Sequence, residues 1–208
     1  MWNVTQLLTV TSLFVVFLYA EARGQQESFL QIGDPVPEFC CLDQRGHVWD
    51  SSDHFGKGIR VIYFYPADFA FCSARQAQRY RDSQRELAAF GAEVIGVSGD
   101  GVESHHLFSD THSLNFALLS DADGGIARQF GVPIRAGGKA MPADASGKPL
   151  IGPNGNVVQF PRDFTAARWT FIIDPDGHVI YREMDVAPRT DTKEVLQFLR
   201  ERKASQDF

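Results

Sequence analysis

The stretch YFYPADFAFCSARQ, residues 63–76, passes from an apolar run into a helix-forming one and sets a single thiol, Cys72, at the junction. A cysteine at a helix N-terminus is a specific chemical arrangement. The unpaired N–H groups and the helix dipole stabilise a thiolate, and the thiolate is the nucleophile. A nearby guanidinium strengthens the effect and hydrogen-bonds an anionic leaving group. Attack on a peroxide O–O bond needs this combination, with sulfenic acid as the first product on sulfur. The structural alternative makes Cys72 a small buried apolar residue, next to a Ser73-x-x-Gln76 capping box with Ser73 as the helix N-cap.

The surrounding pattern says which elements position that junction. Residues 58–66, GIRVIYFYP, form a continuous β-branched and aromatic run, which suits a central strand covered on both faces and ended by Pro66. Residues 74–90 have helix-forming composition, with Gly91 after them. Residues 37–51 predict two short strands around a turn. Strands at 92–99 and 115–121 alternate with helices at 102–112 and 124–132. RWTFIIDPDGHVIYRE (168–183) predicts a hairpin with Asp-Gly in its turn, and 191–202 a closing helix with a capping box at Asp191 and Glu194. Helices between strands imply parallel crossovers, while the late hairpin adds antiparallel pairing. The expectation is an α/β domain over residues 30–203 with a mixed central sheet flanked by helices. Residues 133–167, rich in Gly, Pro and Ala and without periodicity, are expected to be a long loop insertion.

VIYFYPADF followed by QAQRYRD resembles the active-site segment of the peroxiredoxin family, closest to its peroxiredoxin Q (bacterioferritin comigratory protein) branch. The similarity continues through EVIGVSGDGVESHHLF, LNFALLSDADGGIARQFGV and RWTFIIDPDGHVIYRE. It implies a thioredoxin-like fold and thiol-dependent reduction of hydrogen peroxide or organic hydroperoxides. It also implies no metal or bound cofactor, and a thiol reductant such as thioredoxin. The family motif is P-x-x-x-T-x-x-C with a distant arginine. Pro66 matches the proline that screens the sulfur, and Arg168 matches the arginine as electrostatic stabiliser. The threonine position holds Ala70, and an ungapped count from Pro66 puts Ser73 at the cysteine position, with Cys72 one residue early.

That offset matters, because adjacent Cα atoms are about 3.8 Å apart and one helical step turns a side chain by roughly 100°. Two readings stay open. In one, the turn is tighter by a residue, as in a P-x-D-F-T-F-V-C motif with one residue deleted, and Cys72 is the nucleophile. In the other the site is degenerate, since a serine hydroxyl cannot cycle through sulfenic acid. The fold would then serve as a binding module, with 133–167 its contact surface. The branch's resolving cysteine, five residues on, is absent: Ala77 and Gln78 stand there. Cys40 and Cys41 are the remaining thiols.

Composition excludes other classes. Of 208 residues, 44% are hydrophobic and 22% charged, which fits one folded domain. The net charge of −6 leaves no electrostatic footprint for nucleic acid. His105, His106 and His112 share a helix at spacings poor for a metal and are expected on a solvated face. Residues 7–20 form a short apolar run before Ala20, Glu21 and Ala22, an A-x-A pattern. The run reads as a signal peptide over residues 1–22 and predicts an exported protein, periplasmic or secreted after cleavage near Ala22, with an uncleaved membrane anchor as the alternative.

Overall fold

A computed structural model describes residues 29–144 and 147–206, so the expected leader, 1–22, lies outside the described residues. The chain opens with a hairpin of β1 (Cys40–Asp43) and β2 (Val48–Asp50) and a single-turn helix α1 (Ser51–His54). The apolar run forms β3 (Ile59–Phe64), which leads into α2 (Phe71–Asp82) and the short α3 (Gln84–Ala88). β4 (Ala92–Ser98), α4 (Val102–His112), β5 (Ala117–Ser120) and α5 (Gly125–Phe130) continue the alternation. β6 (Ile134–Ala140) and β7 (Phe160–Ala166) precede β8 (Thr170–Ile173), β9 (Val179–Glu183) and the final helix α6 (Asp191–Gln206).

Seven strands make one mixed sheet in the order β2-β1-β5-β4-β3-β8-β9. β3, β4 and β5 run parallel, whereas β8 pairs antiparallel with both β3 and β9. Strand alternation divides the side chains of β3 between two cores. Val61 and Tyr63, with Tyr65 just beyond the strand, face α2, α4 and α6, where they meet Ala77, Tyr80, Phe108 and Leu199. Ile62 and Phe64 face the opposite layer, with Phe39, Trp49 and Phe130. Both faces are covered, which is why the strand reads as continuously apolar.

The structure corrects the loop expected at 133–167. Its two ends pair as an antiparallel ribbon, with Ile134 opposite Ala166 and Ala140 opposite Phe160. β6 is exposed along all but its last residue, so no buried face imposed an alternating pattern on its sequence. Glycine there serves close backbone approach: a Cβ on Gly137 would lie 2.0 Å from the Arg162 carbonyl oxygen. Phe164 and Ala166 of β7 join the core on the side of Phe39 and Phe130. The capping box at Asp191 and Glu194 is also corrected. The carbonyl of Thr190 accepts the first helical bond, from the N–H of Glu194, and Asp191 turns its carboxylate inward instead.

Candidate active site

The chain leaves β3 through Pro66, which is half-buried, and turns into α2 within five residues. Phe69 takes φ +57°, a left-handed conformation that costs a bulky residue about 1–3 kcal/mol. Its ring lies edge-on to Phe108 at 5.2 Å, which holds the turn from one side. Asp68 holds it from the other. One carboxylate oxygen accepts the Tyr65 hydroxyl at 2.8 Å. The other accepts the Ser104 hydroxyl at 2.7 Å and meets His105 Nδ1 at 2.9 Å. The Asp68 N–H in turn donates to Asp100 Oδ2 at 2.8 Å. Every member of this cluster is buried. Burial works against a charged His105, but Asp68 and then Asp100 outweigh it and raise the imidazole above its ordinary value. Burial, and then Asp68, push the Asp100 carboxyl up.

Helix α2 begins at Phe71, and its first backbone bond runs from the N–H of Ala74 to the carbonyl of Ala70. The N–H groups of Phe71, Cys72 and Ser73 precede that bond and form the positive end of the helix. Ser73 is therefore the third helical residue, and the expected N-cap role is corrected: Ala70 occupies that place without a side-chain cap. Ser73 is 1% exposed and accepts a hydrogen bond from Arg168 Nη2 at 3.3 Å. Arg168 reaches it because Phe64 N–H donates to the Trp169 carbonyl at 2.8 Å, which aligns the entry to β8 with the exit from β3.

Ser73, Gln76 and Tyr80, at i, i+3 and i+7, lie on one side of α2 and meet two charges. Arg168 Nη1 donates to Gln76 Oε1. Gln76 Nε2 and the Tyr80 hydroxyl both donate to Asp191 Oδ2, at 2.5 and 2.7 Å. Gln76 thus bridges a half-buried cation and a buried anion. Burial lowers the Arg168 guanidinium from its ordinary value, and negative charge on Cys72 opposes that shift.

Cys72 itself is exposed, on the neighbouring side of the first turn. It lines a surface groove with Phe71, Arg75, Arg79 and residues 187–189. Ser73 and Cys72 thus divide between them what one thiol would need: Ser73 has the arginine contact, Cys72 the solvent access. Cys41 packs beneath the opposite face of the sheet, and burial, with Asp121 and Cys40 adding, pushes its thiol up to about 12. Cys40 is exposed on the same strand.

Residues 32–182 match the model of the AhpC/TSA family. The chain belongs to this family, the peroxiredoxins. It is 42% identical over 101 residues to chloroplastic peroxiredoxin Q of Sedum lineare, an alignment covering 49% of this chain and 54% of that one. The chain spans about half the length of the curated relatives it matches. Peroxidoxin BcpB of Mycobacterium tuberculosis superposes with a TM-score of 0.66 at 28% identity, covering 83% of this chain and 97% of that one. Bacterioferritin comigratory protein of Xanthomonas campestris, described for its alkyl peroxide reduction activity, gives 0.64 at 25% identity over the same shares. The fold is thioredoxin-like, and within the peroxiredoxins the similarity is to the peroxiredoxin Q branch. The expectation of export is overturned: the peroxiredoxin Q relatives are named chloroplastic, neither periplasmic nor secreted.

Of the four residues singled out in the sequence of this peroxiredoxin, the fold joins Ser73 directly to Arg168, keeps Cys72 beside them, and leaves Pro66 at the head of the turn. Sequence reasoning missed the Asp68–His105 cluster and the Gln76–Asp191 bridge. His106 is on the expected solvated face, but His105 is fully buried. Its spacing of three from Phe108 was the signal that it shares the apolar side of α4.

Proposed function

We propose that the chain is a thiol-dependent peroxidase acting on hydrogen peroxide or an organic hydroperoxide, with Cys72 as its nucleophile. The observation that carries this reading is an exposed thiol among the free N–H groups of the first turn of α2, within the field of Arg168. The Cys72 thiolate attacks one peroxide oxygen, so an S–O bond forms as the O–O bond breaks. Sulfur loses two electrons, and the leaving oxygen takes a proton from solvent to become water or an alcohol. Arg168 stabilises the negative charge developing on that oxygen. Ser73 holds the guanidinium in place, and Pro66 walls the turn. An external thiol, such as thioredoxin or a smaller one, then returns sulfenic acid to thiol.

Steady-state peroxide consumption with dithiothreitol as reductant tests this. The wild-type chain is expected to consume peroxide faster than an equal concentration of a free cysteine peptide, and Cys72→Ser to fall to the rate without protein. Equal consumption by wild type and Cys72→Ser would contradict it.

The contact between Ser73 and Arg168 favours a second reading, in which the arginine pocket is redox-silent and the fold acts as a binding module. That reading expects Cys72 to react no faster than the free peptide.

A further inference from the structure

The groove beside Cys72 has a volume of about 380 Å³, within the range of small-molecule sites. Three arginines, Arg75, Arg79 and Arg189, line it, and no acidic side chain does. Among the described residues none of the three takes part in an ion pair, whereas Arg60, Arg81, Arg162 and Arg200 each face a carboxylate. In a chain of net charge −6, this is a local excess of positive charge without a counter-charge. Two of the three guanidinium groups are held in place. Arg79 Nη1 donates to the Arg75 carbonyl at 3.3 Å, and Arg75 stands over the Phe71 ring at 5.7 Å. Phe71 itself is 72% exposed and offers an apolar wall next to the sulfur.

A sulfenic acid on Cys72 needs a second thiol, and Cys41 packs on the far side of the sheet with its thiol pushed up to about 12. Cys40 shares that edge hairpin. β1, which carries both, lies three places from β3 in the sheet order, about 14 Å away at about 4.8 Å per strand, so with the sheet intact the thiol is sought outside the chain.

We infer that the groove receives this second substrate, and that it is a small thiol bearing carboxylates, held by Arg75, Arg79 and Arg189 with its sulfur at Cys72. The inference rests on the peroxidase reading and specifies its reductant. Guanidinium groups bind carboxylates through paired, charge-assisted hydrogen bonds. The bound thiol attacks the Cys72 sulfenic acid, an S–S bond forms, and the hydroxyl leaves as water. A second molecule of the same thiol then attacks the sulfur of the first, so the small disulfide forms, the bond to Cys72 breaks and the Cys72 thiolate leaves.

The test uses disulfide exchange on the full chain without peroxide. Reduced protein is mixed with oxidised glutathione, an anionic disulfide, or with cystamine, a cationic one. Mixed-disulfide formation at Cys72 is followed by peptide-resolved mass spectrometry, each rate divided by that of the same disulfide with 2-mercaptoethanol. The normalised rate for oxidised glutathione is expected to exceed that for cystamine by about tenfold at low salt, and to approach it at about 0.5 M salt. Arg75→Gln with Arg189→Gln removes the preference, and Arg189→Glu shifts it toward cystamine. These side chains are solvent-exposed, so folding is retained and checked by circular dichroism. A wild-type preference that is absent, reversed or unchanged in the arginine variants would overturn the inference. So would a Cys72 sulfenic acid reduced by thioredoxin but not by millimolar glutathione. Because exchange needs no peroxide, a chain that fails to consume peroxide yet shows the charge preference refutes the peroxidase reading, and the reductant role with it, but leaves the groove's charge selectivity standing. One that consumes peroxide without the preference refutes the groove alone.

Discussion

Ser73→Cys combined with Ala70→Thr is expected to raise the second-order rate constant for hydrogen peroxide by about a hundredfold or more over the wild type, the scale on which pre-placed donors act on a developing oxyanion. The serine hydroxyl already sits 3.3 Å from Arg168 Nη2 with 1% of its surface exposed, so a sulfur there inherits the guanidinium as well as the helix N-terminus. Ala70 is the N-cap and has no capping side chain, so a threonine hydroxyl adds an acceptor for the first-turn N–H groups, a gain of about 1 kcal/mol in helix stability. Stopped-flow measurement under pseudo-first-order conditions gives the rate constant. A folded double variant no faster than wild type would refute the assignment of Ser73 to the arginine-facing position.

Asp68→Ala is expected to destabilise the fold by about 3–5 kcal/mol, the cost of leaving a buried charge without its partner. The carboxylate satisfies Tyr65, Ser104 and His105 at once, and each is buried. The same cluster fixes a pH dependence whose sign follows from linkage. His105 titrates above its ordinary value when folded, so its stabilisation is complete below about pH 6.5 and is lost as pH rises through the raised value. Other shifted groups act in different windows. Asp100 is raised from the carboxylate range, and its contribution changes in acid. His112 is lowered by burial and by Arg81, which matters below the ordinary imidazole value. Arg162 Nη1 lies 3.9 Å from Asp100 Oδ1 and faces the same cluster. Urea unfolding of the wild type should therefore show stability falling as pH rises above about 6.5, a slope that His105→Gln abolishes. A loss below about 1 kcal/mol for Asp68→Ala would contradict this role for the cluster.

The elements that frame the site were legible in the sequence. β3 was announced by an unbroken β-branched and aromatic run and the β8–β9 hairpin by its Asp-Gly turn. The resemblance also marked Arg168 before β8 as the distant arginine. What failed were local rules overridden by tertiary contacts. Ser73 and Gln76 carry the spacing of a capping box, but the left-handed Phe69 starts the helix earlier, and both side chains go to Arg168. Asp191 also carries a capping signature, and the buried Gln76 and Tyr80 claim its carboxylate. The ribbon at 133–167 was hidden because an exposed strand has no face to imprint on its composition.

Everything proposed for this site turns on Cys72 being the thiol that meets peroxide. One equivalent of hydrogen peroxide added to the reduced chain with dimedone, followed by peptide-resolved mass spectrometry, tests it most directly. The sulfenic-acid adduct is expected on Cys72, formed ahead of any on Cys40 or Cys41. Adduct on Cys40 first, or on all three thiols at the rate of a free cysteine, would contradict it.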